Sequence, residues 1–100
     1  MMQVSDCELK IITDIIKNHI QDYDVWIFGS RYDGTAKEYS DLDMVIVGEH
    51  KLPLSQMADL RNAFQQSNLP FSVDILDWNK TSKEFQLVIS KGYEVIYSHS

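Results

Sequence analysis

Residues 28–47 read FGSRYDGTAKEYSDLDMVIV. Phe28 closes one apolar run and is followed by Gly29-Ser30; a second run, Met44 to Val47, opens with Asp41-Leu42-Asp43. Side chains alternate along a strand, so Asp41 and Asp43 share one face while Leu42 and Met44 take the other. The two Cα atoms would then lie ~6.6–6.8 Å apart. Carboxylates that close repel each other, and removing them from water is costly unless a cation lies between them. The pair suits hard divalent ions, because magnesium takes carboxylate oxygens together with waters and substrate phosphates. Two such ions ~3.5–4 Å apart can hold both the attacking and the leaving oxygen of an in-line phosphoryl displacement. A bare Asp-x-Asp is also an ordinary polar strand opening, so the neighbouring residues decide. Gly29 allows backbone to approach a ligand closely. Ser30 offers a hydroxyl and an N–H at the start of a turn, which suits an anion. Arg31 is placed to support the same phosphate, and Gly34 lets the loop turn back.

Outward from this stretch the chain punctuates itself clearly. Ser5 with Glu8 forms a capping-box pattern. Leu9, Ile12, Ile16 and Ile20 follow at helical spacing, which predicts a helix over 5–20. Val25 to Phe28 is a β-branched and aromatic run closed by Gly29, and the second strand ends at Gly48. HKLPLS is a loop, and Met57, Leu60 and Phe64 mark one face of a helix over 54–67. A third strand spans 71–77 after Pro70. Thr81 with Glu84 repeats the capping pattern before Phe85, Val88 and Ile89, and Gly92 stops that helix. YEVIY supplies a short last strand. The expected fold is α+β: a mixed β-sheet with helices packed on it, one small domain over 1–100.

The chain's 100 residues suit a single domain, and 44% hydrophobic with 24% charged residues is the balance of a folded globular protein. The net charge of −6, with no cationic run, argues against direct nucleic-acid binding, which needs clustered cations. It suits a cation site or a basic partner. Cys7 is the single cysteine, so no intrachain disulfide forms and a cytoplasmic setting is expected. The start, MMQVSDCELK, lacks a signal-peptide pattern, and no apolar run reaches the ~20 residues that span a bilayer. His19, His50 and His99 show no metal-ligand spacing. Tyr32, Tyr39, Tyr93 and Tyr97 are candidates to stack on a base, and Lys37 and Glu38 read as a solvated face.

Gly29-Ser30, ten intervening residues, then Asp41-Leu42-Asp43 resembles the signature of the polymerase-β-like nucleotidyltransferase superfamily. With FSVDILDW at 71–78, the chain looks like the minimal nucleotidyltransferase (MNT) group over roughly 5–97. The resemblance implies AMP transfer from ATP, or another NTP, to a hydroxyl. Asp41 and Asp43 would hold two magnesium ions, Gly29, Ser30 and Arg31 the phosphates, and a third carboxylate the acceptor side. Asp74 matches that third position and would complete the metal site nearer the acceptor, there accepting the hydroxyl proton or orienting that hydroxyl; Asp77, at the strand end, reads as a solvated or helix-capping residue whose replacement by Asn spares binding and turnover. Asp74 is flanked by apolar residues, so its strand is expected to be packed around it, a costly place for an uncompensated carboxylate.

MNT proteins resemble the antitoxin half of pairs whose other half is a helical HEPN-type toxin. The resemblance therefore implies an acceptor tyrosine on such a partner, met through homo- or hetero-oligomer contacts. Two other classes fit the same residues. One is a binding antitoxin or scaffold that neutralises its partner by contact alone. The other is a small-molecule nucleotidyltransferase acting as a homodimer.

Overall fold

The computed structural model describes residues 4–34 and 40–98; Lys37, Glu38, Tyr39 and His99 lie outside the described residues. Helix α1 (Asp6–His19) leads into β1 (Asp24–Phe28), a short helical turn α2 (Ser30–Asp33) and β2 (Leu42–Val47). Then come α3 (Leu54–Gln65), β3 (Val73–Asp77), a 3-10 turn (Trp78–Lys80), α4 (Lys83–Ser90) and β4 (Tyr93–Tyr97). The four strands make one sheet in the order β3-β2-β1-β4. β1 runs antiparallel to both β2 and β4, while β2 and β3 are parallel, so the sheet is mixed as expected.

Local chemistry sets the element ends. The capping box at α1 forms as read: Ser5 N–H donates to Glu8 Oε1 at 2.9 Å, and Glu8 N–H to Ser5 Oγ at 3.2 Å. The second cap is displaced by one residue from the expected Thr81. Ser82 Oγ accepts from Phe85 N–H at 3.3 Å, because the Thr81 hydroxyl is already committed to the Asp77 carbonyl at 2.7 Å. The 3-10 turn that supplies this competitor is too short to carry a periodic pattern.

The sheet's two faces differ. On one, Val25, Ile27, Leu42, Met44, Ile46 and Ile75 meet the apolar stripes of α1 and α3 in the main core. On the other, Phe28, Val45 and Ile89 form a smaller cluster, with Trp26, Val47, Leu76 and Trp78 around it. Strand parity places Asp43 on this second face with Val45, and the single eight-residue helix α4 is what packs there. Of the apolar residues Phe85, Val88 and Ile89 on that helix, only Ile89 is buried.

Candidate active site

Gly29 follows β1 with φ 79° and ψ −154°, a backbone conformation that L side chains rarely adopt. It has a second reason to be glycine: a Cβ built there would collide with the Asp43 carboxylate. Phe28 and Asp43 are register partners across β1 and β2, so the glycine lies directly against the carboxylate-bearing strand. The α2 turn then begins at Ser30. Its ladder starts with Tyr32 and Asp33, whose N–H groups both donate to the Gly29 carbonyl at 3.1 Å. Gly34 closes it at φ 85° and ψ 10°, the tight reversal its position suggests.

Arg31 is buried within the scaffold around this turn. Its Nε and Nη2 donate to the Ser40 carbonyl at 2.9 and 2.8 Å, and its guanidinium lies 4.0 Å from the centre of the Phe71 ring. One side chain thereby ties α2 to the backbone just ahead of Asp41 and to the segment just ahead of β3. Leu42 N–H, donating to the Ser72 carbonyl at 2.9 Å, closes the same junction.

These ties set the register of the carboxylates. Asp43 is the direct partner of Asp74 across the parallel β2–β3 ladder. Adjacent strands lie ~4.8 Å apart, so the two carboxylates are neighbours on one face. Asp41 is exposed one residue before β2. Asp43, half-buried, has its pKa raised above the ordinary 3.8, first by burial and then by the charges of Asp74 and Asp41. All three carboxylates therefore share one electrostatic neighbourhood, and an ionised Asp43 is held there at a cost. Asp74 itself is exposed, not packed as its apolar neighbours predict. Parity turns Val73, Ile75 and Asp77 to the core, and α4 packs over Phe28 and Val45, leaving the Asp74 side open.

The converse correction applies to Asp77. It caps the 3-10 turn, accepting from Asn79 N–H at 3.0 Å, but it is buried, not solvated. Its second oxygen accepts from Leu52 N–H at 2.8 Å and so pins the β2–α3 loop. A carboxylate with both oxygens on backbone donors has a structural task. Among the histidines, His19 bonds the Ile15 carbonyl through Nδ1 at 2.9 Å, an intrahelical contact. Tyr93 stacks on Trp26 with ring centres 4.0 Å apart.

The donor chemistry fits magnesium: three carboxylates, one of them raised in pKa, beside a glycine cradle that a Cβ would fill. Among the described residues no three carboxylate, imidazole or thiol groups gather into a ready-made metal cage. The sequence reading missed a groove beside Gly29, between α2 and α4. Its signal was present in KEFQLVIS, which is apolar around more of the helix than one buried stripe requires.

The family described as Polymerase beta, Nucleotidyltransferase matches residues 10–100. The chain belongs to this nucleotidyltransferase family. It is 44% identical over 95 residues to a Haemophilus influenzae protein named probable protein adenylyltransferase MntA, covering 95% of this chain and 83% of that one. Among solved structures, one described as a toxin-antitoxin with AMP-PNP superposes with a TM-score of 0.76 at 20% identity, over 90% of this chain and 73% of the other. Another, a tri-AMPylated Shewanella oneidensis HEPN toxin in complex with MNT antitoxin, gives 0.68 at 19% identity, over 90% and 69%. At such identities these two matches speak for the nucleotidyltransferase fold, which agrees with the mixed sheet described above.

Proposed function

We propose that this protein moves AMP from ATP to a tyrosine hydroxyl of a HEPN-type helical partner and so acts as that partner's antitoxin. The observation that carries the reading is the pairing of Asp43 with Asp74 across β2–β3, with Gly29 pressed against Asp43. The 44% identity to a protein named as a protein adenylyltransferase supports the acceptor class. Asp41 and Asp43 would hold the divalent ions, two magnesium by the chemistry of the site, which supply positive charge to the phosphates. Gly29 and Ser30 seat the outer phosphates. Arg31 serves them from beneath, by holding the strand openings at Ser40 and Phe71 in place.

In the step itself the tyrosine oxygen bonds the α-phosphorus and the α–β bridging P–O bond breaks. Pyrophosphate leaves, and Asp74, exposed on the β3 side, orients the phenol and takes its proton. A phenol pKa of ~10 makes that proton easier to remove than one from an aliphatic hydroxyl. The acidic surface favours encounter with a basic partner, without direct contact to nucleic acid. The whole chain acts as one minimal domain in the cytoplasm; among the described residues no helix is long and apolar enough to cross a membrane.

Intact-mass spectrometry of a HEPN-type partner incubated with this protein, ATP and magnesium tests the reading. The expected result is a partner heavier by one or more AMP units on tyrosine, with Asp43→Asn cutting the rate by at least ~10²–10³, as removal of a preorganised electrostatic group does. A partner that stays unmodified yet is silenced equally well by the Asp43→Asn protein would replace transfer with neutralisation by contact.

A further inference from the structure

Strand β3 is an outer edge of the sheet, and that edge is only partly closed. The bond from Leu42 N–H to the Ser72 carbonyl fixes which residues face β2. Ser72, Asp74 and Leu76 turn their backbone groups inward, so Val73, Ile75 and Asp77 turn theirs outward. Two of the outward carbonyls are taken: Arg61 Nη2 donates to Ile75 at 3.1 Å and the Thr81 hydroxyl to Asp77 at 2.7 Å. Side chains laid over an edge in this way stop another strand from pairing there. Val73 differs, because neither its N–H nor its C=O has a partner among the described residues. Directly outside it, between the end of α3 and the start of β3, lies a recess of about 370 Å³. Phe64, Leu69 and Phe71 give it an apolar wall, and Arg61 brings a positive charge to its lining. Phe64 belongs to the main core, so the recess lies on that side of the sheet, opposite to the side on which Asp74 projects.

We propose that the acceptor protein enters as an extended segment that adds to the β3 edge at Val73, with its tyrosine beside Asp74 and an adjacent acidic residue in the recess. This docking rests on the nucleotidyl-transfer reading and names the surface that holds the acceptor. Alternation dictates the pairing. A residue that exchanges both backbone hydrogen bonds with Val73 shares its face and sends its side chain towards the recess. The chain neighbour of that residue then stands opposite Asp74, on the same face and ~4.8 Å away across the ladder. Backbone bonds give such an added strand its affinity, and pockets for alternate side chains give it specificity. The charge fits as well: Arg61 uses one of its N–H donors on Ile75 and has others for a carboxylate. The caps on Ile75 and Asp77 confine the segment to the part of the edge where Asp74 stands. Asp43 and Gly29 lie on the other flank of Asp74, towards β1, so a segment outside β3 does not cross the phosphates.

Steady-state AMP transfer to a HEPN-type partner, read by intact mass, tests this surface, with Mg-ATP affinity measured by calorimetry on the same proteins. Arg61 and Gln65 are exposed residues of the lining. Gln65→Trp fills the recess and should raise the KM for the partner about tenfold or more; Arg61→Glu should do the same. Both variants should bind Mg-ATP as wild type does. Asn62→Trp, exposed on the same helix but off the lining, should leave the KM unchanged. Hydrogen exchange gives a second readout: the Val73 amide should exchange at least about tenfold more slowly in the partner complex than in the free protein. A wild-type KM in Gln65→Trp and Arg61→Glu, or a Val73 amide left unprotected in the complex, overturns the docking and leaves transfer standing. So does an equal rise in Asn62→Trp, or a rise matched by lost Mg-ATP affinity, since the effect would then not be made at the recess. A wild-type protein that leaves the partner unmodified overturns the transfer reading itself, and the docking falls with it.

Discussion

On one side of the sheet, the 14-residue α1 and the 12-residue α3 cover the main core, in which Val25, Ile27, Leu42, Met44, Ile46 and Ile75 are buried; on the other, the eight-residue α4 packs over Phe28 and Val45 and leaves Asp43 and Asp74 reachable. Both faces derive from the same strands by alternation, so Leu42 and Asp43 are chain neighbours with opposite environments. The covered face supplies cohesion, because burying aliphatic side chains is the main favourable term in folding. The open face holds the repelling carboxylates, the exposed Phe85 and Val88, and Trp26 Nε1, which is buried and finds no hydrogen-bond partner among the described residues. A molecule this small can keep an unsatisfied face because the other face carries the main core.

The largest effect should come from breaking the covered face. Ile27→Ala removes a fully buried side chain and should cost ~2–5 kcal/mol, a large share of the ~5–15 kcal/mol typical of a domain. Leu87→Ala on α4, 65% exposed, should change stability by no more than ~0.5 kcal/mol. Urea denaturation of both variants makes the comparison, and equal losses would show that α4 contributes to the core as fully as α1 does.

A finer test contrasts two aspartates of one strand. Asp77→Asn substitutes a donor for one acceptor of two backbone N–H groups, Leu52 and Asn79, in a buried place. It should cost ~1–3 kcal/mol of stability, while the folded protein keeps the turnover and nucleotide affinity that the sequence leads one to expect. Asp74→Asn, on the open face, should leave the denaturation midpoint unchanged and lower turnover far more than nucleotide affinity. Turnover loss in Asp77→Asn beyond what its folded fraction explains would mean that the third carboxylate is Asp77.

The smallest effect concerns Asp43 without metal. Its folded pKa stands above the ordinary 3.8, by burial first and then by Asp74 and Asp41. The folded state therefore holds this proton more tightly than the unfolded chain does. The resulting stabilisation is fully present below the ordinary value and is lost as pH rises through the folded one. At neutral pH the ionised carboxylate is a net burden, and Asp43→Asn should raise the metal-free melting temperature by a few degrees. The gain should fade as the pH is lowered towards 4, and magnesium with ATP should reverse it by favouring the wild-type carboxylate. A variant that melts below wild type at neutral pH would show that Asp43 is already compensated within the fold.

Much of this was readable along the chain, for local reasons. The Ser5–Glu8 cap, the isoleucine stripe of α1 and the run from Asp24 to Phe28 each declare an element within a few residues. The Gly29-Ser30 and Asp41-x-Asp43 pieces marked the candidate site, because alternation in β2 and the glycine's freedom are local properties. Asp74 and Asp77 were harder. Both are aspartates in an apolar context, and their opposite exposures depend on Leu52 reaching Asp77 from one side and α4 stopping short of Asp74 on the other. Arg31 likewise looks like a phosphate ligand until Ser40 and Phe71 arrive from later in the chain.

By itself, then, the sequence determined which segments become helix or strand, which face of each is apolar, and which residue types can handle a metal-bound phosphate. Periodicity, caps and glycine punctuation encode these within a turn or a few strand residues. Only the tertiary structure decided that Asp43 faces Asp74, that Gly29 lies against Asp43, and that Phe85 and Val88 remain uncovered beside them. Each of those facts is a contact, or a missing contact, between segments far apart in the chain. The register of a parallel ladder and the reach of one short helix set them, and neither leaves a local pattern to read.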